Sequence, residues 1–356
     1  MKANEIIARV KHAKERPADA YRRLKRRIIL RIGGIDLSKQ TELQYIEIEN
    51  FDSKILNKRH ISEAREWSLG EKKDFKHTFE SKFQVEISNV IVNTENNLIY
   101  VLHSQTKGFL LLKESSEWPC DRNIITSEKP PRDQLPTIKY AKLGLAKSGF
   151  FHLITEDLTA TLLNDSDWPT LNFRGNSNLV SQILHHLNLK TIDTPKWIKV
   201  SNLSFVSRGY DLGYVHPSGL VAINGFVKEF ISNSKPKENI YVSRVGTRRS
   251  ILGEEKIVAH LRSKDFRIVK AEDYPFSEQL KIFANANILI GVHGAGLTHG
   301  IWSTDSMMIE LMPTNRINRC FEWQTLMLGN NYQRILYEAD KPDIELIIKK
   351  LDSLIH

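Results

Sequence analysis

Hydrophobic positions in the C-terminal half of the chain switch between the two-residue period of strands and the wider spacing of amphipathic helices. Strict alternation of strands and helices predicts parallel strands that are joined by right-handed crossovers. Ligands of such sheets bind beyond the carboxyl ends of the strands. The predicted elements, in chain order, are strand 239–244, helix 253–264, strand 266–271, helix 277–286, strand 287–293, a short helix from about Gly296 and strand 307–312.

The N-terminal half shows a weaker pattern. Strand-like runs at residues 43–51, 83–93 and 97–103 are separated by charged segments. Residues 144–165 then carry apolar side chains at helical spacing, and helix and strand patterns continue through residues 177–206. This alternation predicts another Rossmann-like domain, which precedes the C-terminal domain with its clearer pattern.

The length of 356 residues favours two domains, because a single hydrophobic core seldom organises that many residues. We therefore predict a basic N-terminal segment at residues 1–35 and a Rossmann-like domain at 36–200. A second Rossmann-like domain follows at 201–340, and residues 341–356 form a closing amphipathic helix. The predicted fold class is α/β.

Charge is concentrated at one end of the chain. The net charge is +9, and residues 1–31 hold eleven Lys and Arg residues against three acidic ones, a local excess of +8. Such a run is most often a solvated helix face, but it also suits an anionic membrane surface. The two cysteines lie far apart in sequence, which fits a reducing compartment. No apolar run is long enough to predict a membrane span, so we expect a cytoplasmic protein, peripheral at most to the inner membrane face.

A glycine-rich turn follows the predicted strand 287–293. Missing Cβ atoms and unpaired amide groups at a helix start favour an anion such as a phosphate, although tight turns use glycine for geometry alone. The dinucleotide fingerprint G-x-G-x-x-G is absent, which disfavours a dehydrogenase. The candidate residues are His293, Gly294, Ala295, Gly296, Leu297 and Thr298.

Three arginines, Arg244, Arg248 and Arg249, follow the predicted strand 239–244. Arginine forks suit bidentate phosphate contacts, so arginines at a strand end can neutralise a diphosphate leaving group. Glu310, in strand 307–312, is a candidate acceptor for ribose hydroxyls or else a salt-bridged structural carboxylate. Together these residues predict a donor-binding site on the C-terminal sheet.

The order of these motifs resembles the C-terminal core of the family 61 glycosyltransferases over about 75 residues. The similar runs are YVSR with RR and Glu254, then FSEQ, GVHGAGLTHGIW and MMIELMP. Upstream, GFFHLITEDL resembles that family's histidine and acidic segment, with His152 and Glu156 in those positions. The chain departs from the family at Gly253 and His299, where Asn is usual, and at Leu153, where Trp is usual.

The resemblance implies a GT-B fold, in which two Rossmann-like domains with parallel sheets face each other across a cleft. It also implies inverting sugar transfer from a nucleotide-sugar donor, generally UDP-linked, to a glycan or lipid-linked acceptor. The setting typical of the family is bacterial surface or capsular polysaccharide synthesis. In this frame the N-terminal domain binds the acceptor and the C-terminal domain binds the donor.

Inversion requires a general base for the acceptor hydroxyl, and His152 or Glu156 is the candidate because a four-residue spacing places both on one helix face. A histidine in an apolar helix is, however, more often a core residue. The sequence Asp165-Ser166-Asp167 resembles a metal signature, but we expect no metal or other cofactor. Two alternatives stay open. One is a nucleotide- or polyanion-binding module without catalysis, although we expect no nucleic-acid partner, and the other is a non-catalytic scaffold of a polysaccharide assembly complex.

Overall fold

The protein is described by a computed structural model. The chain divides into two compact units, Met1–Tyr45 and Ile46–His356. The predicted basic segment 1–35 lies outside the described residues, as does the membrane contact expected of residues 1–31. The structure describes residues 45–46, 55–62, 65–68, 76–79, 82–103, 108–112, 130–131, 134–146, 149–207, 214–228, 237–247 and 250–355.

A mixed sheet forms the N-terminal part of the second unit. Its strands run in the order β7-β6-β5-β11-β8-β9-β10, with β2 also paired to β5. A two-residue strand β1 (Tyr45–Ile46) precedes it, and β3 (Arg65–Ser68) and β4 (Lys76–Phe79) pair with each other. The remaining strands are β2 (Ile55–Ser62), β5 (Lys82–Asn93), β6 (Leu98–His103), β7 (Gly108–Leu112), β8 (Thr137–Lys142), β9 (Thr170–Phe173), β10 (Thr191–Thr194) and β11 (Trp197–Val206).

This first sheet is not the all-parallel sheet expected from the sequence. Strand β11 pairs parallel to β8 but antiparallel to β5, and β5 pairs antiparallel to β6. The turn at residues 94–97 is too short for the crossover that parallel neighbours require. Strand β11 also spans the position of the predicted boundary between residues 200 and 201, and the domain division itself stays a prediction.

The second sheet is entirely parallel, as the alternation of strands and helices predicted. Its order is β13-β12-β14-β15-β16. The first four strands in chain order match the predicted ones to within a few residues, whereas β16 was not predicted. The bounds are β12 (Glu238–Val242), β13 (Arg267–Val269), β14 (Ala286–Val292), β15 (Met307–Pro313) and β16 (Asn331–Tyr337).

Helices cover both faces of this parallel sheet. Helix α1 consists of an α segment (Phe150–His152), a π segment (Leu153–Leu158) and a second α segment (Thr159–Leu163). Short 3₁₀ helices span Ala271–Asp273 and Ala295–Trp302. The other helices are α2 (Asn178–His186), α3 (Pro217–Val227), α4 (Glu254–Arg262), α5 (Phe276–Ala284), α6 (Cys320–Met327) and α7 (Ile344–Asp352).

The two faces of the parallel sheet pack into different hydrophobic clusters, because successive side chains of a strand point to opposite faces. In β14, Leu289 belongs to one hydrophobic cluster, whereas Ile288 and Ile290 belong to another that includes residues of α4 and α7. The first cluster also contains Ile154 of α1 and Val180 of α2, so helices of the N-terminal half pack against the C-terminal sheet. Within the described residues, no helix has the length and apolar composition needed to cross a bilayer.

Candidate functional site

The candidate site lies where the order of the parallel sheet reverses. Strand β12 is flanked by β13 on one side and by β14 on the other, so the connections that leave β12 and β14 run in opposite directions along the sheet. The loops that follow these two strands therefore open a crevice at their carboxyl ends. The first loop carries Arg244, and the second carries His293 and Gly294.

Arg244 and Gly294 bring these two loops together. A Cβ atom added to Gly294 would collide with Arg244 Nη1, and Gly294 has a φ of 155° that other residues rarely adopt. Within the described part of the chain, the buried atoms Arg244 Nη1 and Thr247 Oγ1 have no hydrogen-bond partner. A cation and a hydroxyl that are buried in this way at a switch point suit an anionic ligand.

Glu254 accepts hydrogen bonds from residues at the end of β12 and directly after it. Its side chain is buried, and its Oε1 atom accepts hydrogen bonds from Arg244 N (2.6 Å), Tyr241 Oη (3.1 Å) and Ser243 Oγ (3.3 Å). Burial and then the Glu254 charge raise the pKa of Tyr241 well above its usual value, so the phenol keeps its proton. Burial lowers the pKa of Arg244 while Glu254 opposes that shift, and a guanidinium stays charged at physiological pH.

The 3₁₀ helix Ala295–Trp302 starts directly after Gly294, which agrees with the predicted short helix. Gly296 lets this helix approach β12 closely, because a Cβ atom there would lie 2.8 Å from Val242 Cγ1. Leu297 and Thr298 are fully buried, so the structure places their side chains in the core rather than at the surface of the crevice. Ala295 and Gly296 are partly exposed.

His293, directly after β14, Glu310 of β15 and Tyr332 of β16 form a hydrogen-bonded row in which Tyr332 is half-buried. His293 Nδ1 lies 2.5 Å from Glu310 Oε1, and Tyr332 Oη donates to Glu310 Oε2 at 2.5 Å. Glu310 is fully buried and His293 is 7 % exposed. Burial and the Glu310 charge raise the pKa of Tyr332, so its hydroxyl stays a donor.

A second histidine and glutamate pair lies on α1. His152 Nδ1 is 2.6 Å from Glu156 Oε1, as the four-residue spacing predicted, and His152 is 31 % exposed. Burial lowers the pKa of His152, so the imidazole is neutral at physiological pH. The pair lies where α1 passes into its π segment, and such segments are frequent at functional sites.

Phe321 of α6 lies between His293 and the segment of α1 that carries His152. Its ring lies edge-on to His293 with centroids 5.5 Å apart, and edge-on to Phe151 with centroids 5.6 Å apart. Phe151 in turn contacts its neighbour His152 at 5.4 Å. Phe321 thus contacts the predicted donor residue His293 and also Phe151, which neighbours the predicted base His152.

Two predicted donor residues, Arg248 and Arg249, lie outside the described residues. Of the others, the structure brings together Arg244, His293, Gly294 and Glu310, and it connects His152 and Glu156 to them through Phe321. Sequence reasoning missed Thr247, Phe321 and Tyr332. The aromatic and β-branched residues Tyr332, Ile335 and Tyr337 were the signal that could have predicted β16 and hence Tyr332.

The Asp165-Ser166-Asp167 sequence sits in an exposed loop after α1. Asp165 forms an ion pair with Arg59 (2.9 Å), and its backbone amide donates to Gln84 Oε1 (3.1 Å). Among the described residues, no group of three His, Cys, Asp or Glu side chains is arranged to hold a metal ion. Asp165 therefore has a structural partner that accounts for its position.

The switch point, the arginine beside a glycine turn and the parallel sheet define a Rossmann-like α/β protein whose candidate site is a crevice with groups that suit an anion. The sequence profile described as Glycosyltransferase 61 matches residues 133–315, slightly more than half of the chain. The chain belongs to this family and is a glycosyltransferase. The matched region contains the His152 helix, the Arg244 loop, the Gly294 turn and Glu310.

Curated relatives match shorter regions. The "EGF domain-specific O-linked N-acetylglucosamine transferase" of Drosophila melanogaster is 45% identical over 62 residues, which cover 17% of this chain and 12% of that protein. The protein of the same name from Gallus gallus is 37% identical over 89 residues, which cover 24% of this chain and 17% of that protein. The chain thus spans less than a fifth of either relative's length.

Proposed function

We propose that this glycosyltransferase transfers a sugar from a UDP-linked donor to a glycan or lipid-linked acceptor with inversion at the anomeric carbon. The observation that carries the proposal is the contact of the Arg244 guanidinium with the backbone of Gly294. In this proposal a diphosphate meets the half-buried guanidinium of Arg244, the Thr247 hydroxyl and the amides at the start of the 3₁₀ helix.

The leaving group of the proposed reaction is the nucleoside diphosphate. When the bond between the anomeric carbon and the phosphate oxygen breaks, its electron pair stays with the diphosphate and adds negative charge there. Arg244, placed before the reaction begins and partly desolvated, stabilises that charge more effectively than a cation in water does. This function does not require a metal ion, so we propose a metal-independent enzyme.

The general base of the proposed reaction is His152. Glu156 accepts a hydrogen bond from His152 Nδ1, which leaves the lone pair of the neutral ring on Nε2. As the acceptor oxygen bonds to the anomeric carbon, its proton moves to Nε2. The lowered pKa of His152 keeps the ring unprotonated before that step, and Glu156 stabilises the imidazolium that forms.

A GT-B arrangement is the architecture proposed for this chemistry, with the donor on the C-terminal sheet and the acceptor near α1. The setting proposed is bacterial surface or capsular polysaccharide synthesis, in the cytoplasm or at the inner face of the membrane. The relatives named above make UDP-N-acetylglucosamine the first donor to test, since N-acetylglucosamine is the sugar in their name.

The test is calorimetric titration and thermal shift of the full chain with UDP, CMP, GDP and ADP, without added metal. A ligand that binds only the folded state stabilises it by about 2.7 kcal/mol at a hundredfold excess over its Kd. We expect stabilisation by UDP and its loss in Arg244→Ala. If CMP or GDP alone stabilises the protein, the donor assignment is wrong, and binding without turnover of any UDP-sugar would support the scaffold alternative.

A further inference from the structure

Both carboxylate oxygens of Glu310 are already engaged inside the protein. Oε1 lies 2.5 Å from His293 Nδ1, Oε2 accepts from Tyr332 at 2.5 Å, and the residue has no exposed surface. Each oxygen could accept a second hydrogen bond, but a ribose hydroxyl could reach neither oxygen unless Glu310 or the residues that cover it moved. The geometry therefore disfavours the role of ribose ligand that the sequence suggested.

The bond to Glu310 sets which nitrogen of His293 carries a proton. An ionised carboxylate only accepts hydrogen bonds, so Nδ1 of His293 must be the protonated nitrogen. The other ring nitrogen, Nε2, has no hydrogen bond to any residue that the structure describes. Tyr332 holds the second oxygen of Glu310 and thus restricts rotation of the carboxylate.

We propose that Glu310 is a positioning residue that acts on the sugar-nucleotide donor through His293, and that Tyr332 fixes Glu310 in turn. His293 then meets the donor through Nε2, beside the turn where Arg244 contacts Gly294. The inference rests on the proposed function, because it assigns roles within the same donor site. A histidine held by a carboxylate through Nδ1 loses its correct tautomer when an amide replaces that carboxylate.

A double-mutant cycle on UDP affinity tests this arrangement. Glu310→Gln should weaken UDP binding about tenfold, because the ring is no longer held in one tautomer. His293→Asn keeps a donor towards Glu310 but removes Nε2, so it should weaken binding to a similar extent. In the His293→Asn background, Glu310→Gln should cause no further loss, because its effect passes through the missing ring. Additive losses, with a hundredfold effect in the double variant, would overturn the proposal and restore Glu310 as a direct ligand.

The tautomer is measurable without any ligand. Nitrogen-15 spectra of the histidine side chains, assigned with His293→Asn, should show the His293 ring protonated at Nδ1 in the wild type. The same spectra should show an altered ring in Glu310→Gln and a smaller change in Tyr332→Phe, which keeps the carboxylate. Melting temperatures of each variant report whether it folds.

The two tests separate this inference from the proposed function. If UDP fails to bind the wild type while the Nδ1 tautomer is present and lost in Glu310→Gln, the donor assignment fails and the positioning of His293 by Glu310 stands. If UDP binds the wild type but the His293 tautomer is the same in Glu310→Gln, the positioning role is wrong.

Discussion

The guanidinium of Arg244 occupies the space that a side chain at Gly294 would fill. The two residues lie in loops after neighbouring strands, so their contact lies at the switch point of the sheet. Glycine at residue 294 suits the φ of 155°, which other residues rarely adopt, and it leaves the Arg244 guanidinium in its place. The backbone at Gly294 thus leaves room for the charged guanidinium that Arg244 brings from the other loop.

Gly294→Ala should abolish UDP binding because the new methyl group must displace Arg244 from the anion site. We expect at least a hundredfold increase in Kd by calorimetry, equal to about 2.8 kcal/mol. The matched control is Gly225→Ala in α3, where a Cβ atom meets nothing within 4 Å. That variant should bind UDP normally. Equal affinity of the Gly294→Ala protein and the wild type would remove the Arg244 contact from the donor site.

Turnover should depend on His152 while donor binding does not. His152→Gln should lower kcat by about 10² to 10⁴-fold, the usual contribution of a general base, and leave the Kd for UDP unchanged. Because burial lowers the pKa of His152, wild-type kcat should hold to a pH below that of an ordinary histidine and then fall as the ring is protonated. A His152→Gln enzyme with full turnover would exclude His152 as the base.

Removal of the carboxylate that holds His152 should shift this pH profile. Without the nearby negative charge in Glu156→Gln, the imidazolium that forms during transfer is less stabilised, so we expect a lower kcat and an acid limb displaced to lower pH. Initial rates across a pH series measure both quantities. An unchanged profile would show that Glu156 has no influence on the ring.

Phe321→Leu should disturb both histidines at once. The smaller side chain removes the edge-on contacts to His293 and Phe151 while it keeps the buried position apolar. We expect the Kd for UDP to rise and kcat to fall in the same variant, whereas His152→Gln changes kcat alone. The matched control is Phe266→Leu, a buried phenylalanine in the cluster on the opposite face of the sheet. It should lower the melting temperature without separate effects on Kd and kcat.

His299 should make the fold sensitive to acid. It is buried against Phe283 and accepts a hydrogen bond from Trp302, and burial lowers its pKa to about 3. Between pH 6.5 and about 3 the unfolded chain binds a proton that the native state excludes, so stability falls with decreasing pH by up to about 1.4 kcal/mol per unit.

His299→Asn, which restores the residue usual in the family, should remove that slope. Denaturant unfolding of both proteins from pH 7 to pH 5 measures the difference. Burial raises the pKa of Asp157 to about 7, so this residue lowers stability as pH rises. Because Asp157 is present in both proteins, its contribution cancels in the comparison. Parallel stability curves for the two proteins would show that His299 does not titrate on unfolding.

Chelation should leave sugar transfer intact. In the proposed mechanism, cationic Arg244 and the amides of the glycine turn stabilise the leaving diphosphate without a metal ion, so EDTA should change the initial rate by less than twofold. Asp165→Asn should have an equally small effect, since its carboxylate is paired with exposed Arg59. Strict dependence on Mn²⁺ would contradict the metal-independent mechanism.

The C-terminal sheet was predictable because its strands are buried on both faces. Continuous apolar runs such as NILIGV cannot be mistaken for loops, and the helices between them are amphipathic. Strand β16 was missed because Asn331, Gln333 and Arg334 make its first half polar, as an edge strand tolerates. The mixed first sheet was misread because the pattern of a strand does not reveal the direction of its neighbour.

The sequence indicated most of the individual residues of the candidate site but not the contacts between them. Glycine and arginine at strand ends indicate anion binding from residue type alone, whereas the engagement of Glu310 by Tyr332 depends on the register of β15 and β16. The burial of Leu297 and Thr298 also follows from how the 3₁₀ helix packs, and local sequence does not encode that choice.

The shared hydrophobic cluster of α1, α2 and the C-terminal sheet limits how hybrid enzymes can be built from this chain. Exchange of the N-terminal half for that of a homologue with a different acceptor would place foreign side chains against Leu289 and Trp302. Such a chimera should fold only when the residues facing this cluster are exchanged with it. Acceptor specificity in this lineage is therefore expected to change by substitutions around α1 rather than by wholesale recombination of halves.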